Sequence, residues 1–333
     1  GFEDVRQTIA DSLNKRFGTN FSFKNLIMTV GAASGLNIIL KSILNPGDEV
    51  IIPAPFWLSY PEIVKLAGGV PVIVKTTKEQ NYKLTVDDLK AAITDKTKAI
   101  VIINPNNPTG AVYPKEILEQ IVQIAREHEL IIFSDEIYDR LIMDGYKHTS
   151  IASLAPDVFC VTFSGLSKSH MIAGFRIGWM ILSGAKNKAK GYIEGINMLS
   201  SMRLCSNVPA QSIVQTALGG YQSVNEYIQP GGRVYEQRDF IYKALNDIPG
   251  ITAVKPKAAF YIFPKIDTEK FNIHNDEQFA LDFLHEKQVL LVPGKGFNWN
   301  CPDHFRVVYL PNVRQLEKAM DKLKDFLSTY KQR

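Results

Sequence analysis

The chain has 333 residues, 45% of them apolar and 22% charged, the balance of a globular protein with a sizeable core. Its 38 basic and 34 acidic residues leave a net +4 spread along the chain, which argues against a nucleic-acid partner and against a polybasic membrane anchor. No apolar run approaches the ~18 residues of a membrane span, so no membrane partner is expected; Cys160, Cys205 and Cys301 lie far apart without CxxC spacing, which argues against a disulfide framework or a zinc site and fits a reducing cytoplasm.

The chain opens at Gly1 on a helix-like stretch, with Val5, Ile9, Leu13 and Phe17 four residues apart on one face. Short apolar runs then alternate with amphipathic stretches. Strands are predicted at Glu49–Ile52, Val70–Val74, Ala99–Asn104, Leu130–Ser134, Val158–Phe163 and Ile177–Leu182. Helices are predicted at Ser34–Leu44, Pro61–Leu66, Val86–Ala92, Lys115–Glu129 and Ser212–Leu218. Strands that read as continuous apolar runs are covered on both faces. The alternation therefore predicts an α/β fold, a mostly parallel central sheet flanked by helices, with ligands bound beyond the carboxyl ends of the strands.

The pattern breaks at Gln229-Pro230-Gly231-Gly232. A long polar helix is predicted at Arg233–Asp247, then strands Ile251–Lys255 and Phe260–Phe263, a helix near Glu277–Glu286, and strands Val289–Val292 and Phe305–Leu310. A final amphipathic helix runs from Val313 with Leu316, Met320, Leu323 and Leu327 on one face. The expected division is a large domain over residues 1–228 and a smaller C-terminal α+β domain over 229–333.

Three predicted strand ends carry polar groups: Asn104-Pro105-Asn106-Asn107-Pro108-Thr109-Gly110, Ser134-Asp135-Glu136-Ile137-Tyr138, and Ser164-Gly165-Leu166-Ser167-Lys168 followed by Gly174-Phe175-Arg176. Each has an ordinary reading when taken singly. Asn-Pro and Thr-Gly form turns, a strand-end Asp caps a helix, and a lone Lys is a solvated charge. Taken together, in this order and with Arg176 eight residues after Lys168, they resemble the pyridoxal-phosphate aminotransferases of the aspartate aminotransferase fold (fold type I), over Gly31–Arg306.

That resemblance implies a cofactor, pyridoxal 5'-phosphate, held as an imine on Lys168, whose freed amine then moves a proton at the substrate α-carbon. It places Asp135 beside the pyridine nitrogen, where a carboxylate keeps the ring protonated as an electron sink. Asn107 and Tyr138 match the groups that hydrogen-bond the ring's phenolic oxygen, and Asn107 also borders the substrate. Trp57, with Phe56 as second choice, matches the aromatic that stacks on the ring. The amides of Ala33 and Ser34, at a helix start after Gly31, and the guanidinium of Arg176 match the phosphate site. Gly165 stands where many members of the family carry a phosphate-binding serine three residues before the lysine, which leaves Ser164 and Ser167 as replacements. Arg306 matches the arginine that takes the substrate α-carboxylate. His170 and His304 have no partner pattern and read as structural.

Asn-Pro-Asn-Asn-Pro-Thr-Gly-Ala-Val-Tyr, Gly-Leu-Ser-Lys, Ala-Gly-Phe-Arg-x-Gly-Trp-Met and the run Ser201–Gln211 resemble more closely the bacterial alanine (glutamate–pyruvate) aminotransferases, Gly165 included. The implied partners are amino acids and 2-oxo acids, the reaction being L-alanine plus 2-oxoglutarate giving pyruvate plus L-glutamate. Aspartate, aromatic and other specificities stay open, as do a lyase on the same cofactor and a non-catalytic binding protein. Arg203 and Asn207 are candidates for the second carboxylate, although acidic partners on a helix would explain Arg203 equally well. The family also implies a homodimer with its sites at the interface, and an N-terminal segment ahead of Gly1, with a phosphate-binding tyrosine, that this chain lacks.

Overall fold

Most of the apolar runs become strands with buried side chains on both faces; Val70–Lys75, at the sheet edge, is half-buried at most. In the computed structural model, which describes residues 1–333, the first part of the chain comprises α1 (Glu3–Phe17), β1 (Leu26–Val30), α2 (Ala32–Ile43), β2 (Glu49–Ala54), α3 (Ser59–Leu66), β3 (Val70–Lys75), α4 (Val86–Ala92), β4 (Thr97–Ile103), α5 (Lys115–Glu127), β5 (Ile131–Asp135), β6 (Cys160–Gly165), β7 (Ile177–Ser183), α6 (Lys190–Met202), α7 (Val208–Gln211) and α8 (Val214–Gly219). The strands form one sheet in the order β1-β7-β6-β5-β4-β2-β3. All run parallel except β7, which lies antiparallel between β1 and β6.

The pleat sorts the side chains between two cores. Ala99, Val101, Ile103, Phe133, Val161 and Phe163 pack on one face with α2, α3 and α6. Ile100, Ile102, Ile132 and Cys160 pack on the other with α4 and α5. Helix α1 buries Val5, Ile9 and Leu13 as predicted, against β1, β7 and α8, with Phe17 packed at the edge. Each such side chain contributes about 1.5–3 kcal/mol. No helix is long and apolar enough to cross a membrane.

The rest of the chain comprises α9 (Val224–Tyr227), α10 (Arg233–Asn246), β8 (Ile251–Thr252), β9 (Tyr261–Ile262), β10 (Lys265–Ile266), α11 (Thr268–Phe271), α12 (Asp276–Lys287), β11 (Val292–Pro293), β12 (Phe305–Val308) and α13 (Val313–Thr329). Its core also takes in Ile137, Tyr138, Leu141 and Met143 from the loop after β5. Strand β12 lies between β11 and β9, antiparallel to both.

Besides the short α9, β10 and α11, two elements of the central sheet region escaped the periodicity. Strand β1 has only five residues, one of them Thr29. Helix α6 carries Gly191 and Gly195 and leaves Met198 and Met202 exposed, so its apolar face is blurred. The predicted helix Ser212–Leu218 forms as α8, Val214–Gly219, and the one-turn α7 before it was not predicted. The predicted strand Ile251–Lys255 keeps only two paired residues, and Val289–Val292 shifts to Val292–Pro293, with Leu290 largely exposed.

Candidate active site

The carboxyl edge of the parallel strands gathers every motif. Strands β1, β2, β4, β5 and β6 end there, and β7, running the other way, begins there. That reversal brings Arg176, the residue before β7, beside Gly31, the residue after β1, through the pair Val30↔Ile177. Together with β9 and β12 this edge encloses a cavity of about 350 Å³. Its lining includes Ala33, Trp57, Asn107, Asp135, Tyr138, Ser167, Lys168, Arg176 and Arg306. Three of the charged groups are cations and one is an acid, a net +2 suited to a ligand that brings a phosphate and a carboxylate.

Lys168 is half-buried and its ammonium makes no hydrogen bond or ion pair. Burial pushes its pKa below the ordinary lysine range; Asp135 opposes that shift, and Arg306 and Arg176 reinforce it. Asp135 is buried at the end of β5. Its Oδ2 accepts the Tyr60 hydroxyl and its Oδ1 accepts the Ile137 amide at 3.1 Å. Burial raises its pKa, while the Tyr60 and Ile137 hydrogen bonds pull the other way. The neighbouring Glu136 is tied down by Ser134, Ser150, the Ile151 amide and His148, and this anchors the turn that aims Asp135 and Tyr138.

The Asn-rich loop is folded by its own side chains. Asn106 Nδ2 donates to the Pro55 carbonyl, and its Oδ1 accepts Thr109, which leaves Asn107 to face the cavity. Arg306 Nη1 donates to Asn107 Oδ1 at 3.1 Å, across 199 residues. The guanidinium lies 4.5 Å from the Tyr261 ring and 4.8 Å from the Phe297 ring, and its Nε is buried with no partner. Tyr138 O–H donates to Tyr261 O–H at 3.1 Å.

At the opposite end, α2 begins two residues earlier than expected, so Ala33 and Ser34 lie in its first turn, where amides lack intrahelical acceptors. Ala32 and Ala33 line the cavity, whereas the Ser34 hydroxyl turns back to the Val30 amide and the Gly31 carbonyl. Arg176 adopts φ +57° and donates to the Ala173 and Val30 carbonyls. A Cβ on Gly31 would lie 2.1 Å from Arg176 Nη2, and one on Gly178 would lie 2.5 Å from the Gly31 carbonyl carbon. Glycine at both positions is what lets the arginine and the helix start converge. Of the two serine replacements, Ser167 lines the cavity and Ser164 is buried within β6.

The profile of the family described as aminotransferase class I and II matches residues 1–323. The chain belongs to this family. It is 58% identical over 332 residues to the glutamate-pyruvate aminotransferase AlaA of Haemophilus influenzae, covering 100% of this chain and 82% of that protein. A solved aminotransferase from Escherichia coli superimposes with a TM-score of 0.98 at 50% identity, over 100% of this chain and 82% of that one. The alanine aminotransferase of Pyrococcus furiosus gives 0.94 at 41% identity, over 98% and 82%. The chain is thus a fold type I aminotransferase that uses pyridoxal phosphate.

The residues present fit that group. A partnerless ammonium, a buried carboxylate, a helix start beside an arginine and an orphaned guanidinium Nε share one cavity of suitable size. Arg203 and Asn207 do not line it. Arg203 donates to the Met28 carbonyl and to Ser206, not to an acid, and Asn207 caps α7. His170 and His304 are held by protein partners, as expected of structural histidines. Tyr60 and Tyr261 also line the cavity and were missed. Tyr60, in the first turn of α3, meets the Trp57 ring edge-on at 6.1 Å, a contact that no local pattern announces.

Proposed function

We propose that the protein transfers an amino group between L-alanine and 2-oxoglutarate, giving pyruvate and L-glutamate. The observation that carries the reading is the partnerless Lys168 amine facing one cavity with Asp135, Arg176 and Arg306. The name of its relative, a glutamate-pyruvate aminotransferase 58% identical, supports this substrate pair. When bound, pyridoxal phosphate supplies an aldehyde that takes the amino group and a ring that accepts the electron pair left at the α-carbon.

The chain's own residues do the rest. Arg176, Ser167 and the first amides of α2 would hold the phosphate. Trp57 would cover one face of the ring, and Asn107 and Tyr138 would donate to its phenolic oxygen. Asp135 would keep its nitrogen protonated. Arg306, its fork steadied by Asn107 and backed by two aromatic rings, takes the substrate carboxylate and so fixes the α-carbon. Lys168, kept a competent base by burial, removes the proton there and returns it elsewhere. Residues 229–333, which bring Arg306 over groups from 1–228, are read as a small domain on a large one; a core built mostly from Val234 to Leu327 supports this, with Val224 and four residues of the loop after β5 packed into it.

The test is a donor and acceptor screen. L-alanine with 2-oxoglutarate is expected to give the highest kcat/KM. A clear preference for aspartate or aromatic donors would overturn the substrate assignment, and pyruvate with ammonia formed without an acceptor would point to a lyase.

Tyr60→Phe is expected to move the acid limb of the kcat/KM profile upward by about one pH unit. The hydroxyl stabilises the Asp135 carboxylate; without it the carboxyl protonates at higher pH, and the charged form needed beside the ring is lost sooner. A pH–rate profile of both proteins checks this.

A homodimer in the cytoplasm fits the surface and the cysteines. Met198, Met202 and Leu204 are 64%, 76% and 81% exposed, an apolar strip that water alone would not favour. Sedimentation is expected to give twice the 37.4 kDa chain mass, and Met202→Glu with Leu204→Glu to shift the protein toward monomer.

A further inference from the structure

Behind Arg306, on the side away from the cavity, lies a cluster of five rings: Tyr82, Phe263, Phe297, Trp299 and His304. His304 is buried directly before β12, two residues from Arg306. Its ring stacks on Phe263 at 4.9 Å and meets Trp299 edge-on at 4.7 Å. Nδ1 pairs with Asp303 at 2.8 Å, and Trp299 Nε1 donates to the same Asp303 oxygen. With Nδ1 as donor, Nε2 is left as an acceptor, and Tyr82 O–H donates to it at 2.9 Å. Tyr82 comes from the loop between β3 and α4, 222 residues away, and its backbone sits at φ +54°.

Phe297 makes the second tie. Its ring packs on the Arg306 guanidinium, and its carbonyl accepts the amide of Phe56, the neighbour of Trp57. Thus, besides the bond from Arg306 itself to Asn107, the surroundings of Arg306 are tied to the sheet-edge loops at two further points, one a side-chain hydrogen bond and one a backbone bond.

Resting on the assignment of Arg306 to the substrate carboxylate, we propose that Tyr82 and His304 are positioning residues that clamp the Arg306 segment against the cavity and thereby set the affinity for the carboxylate of every substrate. Neither touches the cavity. Every amino acid and 2-oxo acid carries the same carboxylate, so a loosened clamp weakens all substrates alike. It leaves Lys168, Asp135 and the phosphate groups untouched.

Tyr82→Phe removes only the hydroxyl and keeps the ring in the cluster. In the holoenzyme it is expected to raise KM for L-alanine and for 2-oxoglutarate by the same factor, about fivefold, with kcat within about twofold. Binding of 2-methylalanine, which has the carboxylate but no α-proton to lose, is expected to weaken by the same factor without turnover. The dissociation constant of pyridoxal phosphate is expected to stay unchanged, and the thermal midpoint to fall by only a few degrees, the cost of one buried hydrogen bond. Unchanged KM values, or a loss confined to kcat or to cofactor affinity, would overturn the clamp. Arg306→Lys measured alongside separates the two ideas. If it raises KM while Tyr82→Phe does not, the clamp alone fails; if neither does, the carboxylate assignment itself is wrong.

Discussion

Replacing Lys168 with alanine is expected to lower kcat with L-alanine and 2-oxoglutarate by about 10⁴-fold, the upper end of what a positioned base contributes. The expectation follows from the setting of the amine. It is half-buried, has no hydrogen-bond or salt-bridge partner, and feels Arg306 and Arg176 as neighbouring cations. A structural lysine would have a carboxylate in contact, whereas the only acid that acts on this one is Asp135, through the cavity rather than by a salt bridge. Burial makes the neutral, proton-accepting form accessible nearer to neutral pH than for a solvated lysine. The loss should fall on kcat rather than on retention of the cofactor, because Arg176, Ser167 and the α2 amides at the phosphate end remain. Lys168→Arg restores the charge and most of the volume but not the chemistry, since guanidinium does not deprotonate at working pH. Equal losses in the two variants would mark Lys168 as the base. Substantial recovery with arginine would show that only a positive charge is needed there.

The sequence exposed those parts of the site that chain continuity alone creates. Lys168, Asp135, Asn107 and Arg176 each follow or precede a strand by a few residues, and a parallel sheet delivers its strand ends to one edge. Predicting the strands therefore predicted the meeting of the motifs. The antiparallel course of β7 was hidden, yet it is what brings Arg176 to that edge instead of the opposite one. Contacts between distant segments were not legible. Tyr60 reaches Asp135 across 75 residues, and nothing local to Tyr60 distinguishes it from a packing tyrosine. His304 read correctly as structural, but its partner Tyr82 belongs to a turn whose φ of +54° no tyrosine advertises. Glu136 looked like part of a motif and proved to be its anchor, held by three side chains and an amide. Helix α6 failed for the opposite reason: it leaves apolar side chains on its exposed face, so the alternation that marks a surface helix is missing.

Asp135→Asn is the second large effect, an expected fall in kcat of about 10³-fold with the fold intact. The substitution is nearly isosteric. The amide oxygen can still accept the Ile137 amide or the Tyr60 hydroxyl, so any purely structural duty as a turn cap survives. What is lost is the negative charge. Burial raises the proton affinity of this carboxyl by more than its Tyr60 and Ile137 hydrogen bonds lower it, so a cationic ring nitrogen beside it would add to what favours its charged form. The coupling would be reciprocal: a carboxylate kept ionised by the ring proton would also keep that proton on the ring. An amide cannot do this, and without the charge of Asp135 the bound cofactor would be a poorer electron acceptor. Measured kcat, together with the absorbance of the bound cofactor as pH is raised, checks both halves: the variant should show the ring nitrogen losing its proton at a lower pH than the parent. Activity within a few-fold of the parent would instead reduce Asp135 to the cap it also is, because the asparagine keeps every hydrogen bond that a cap requires.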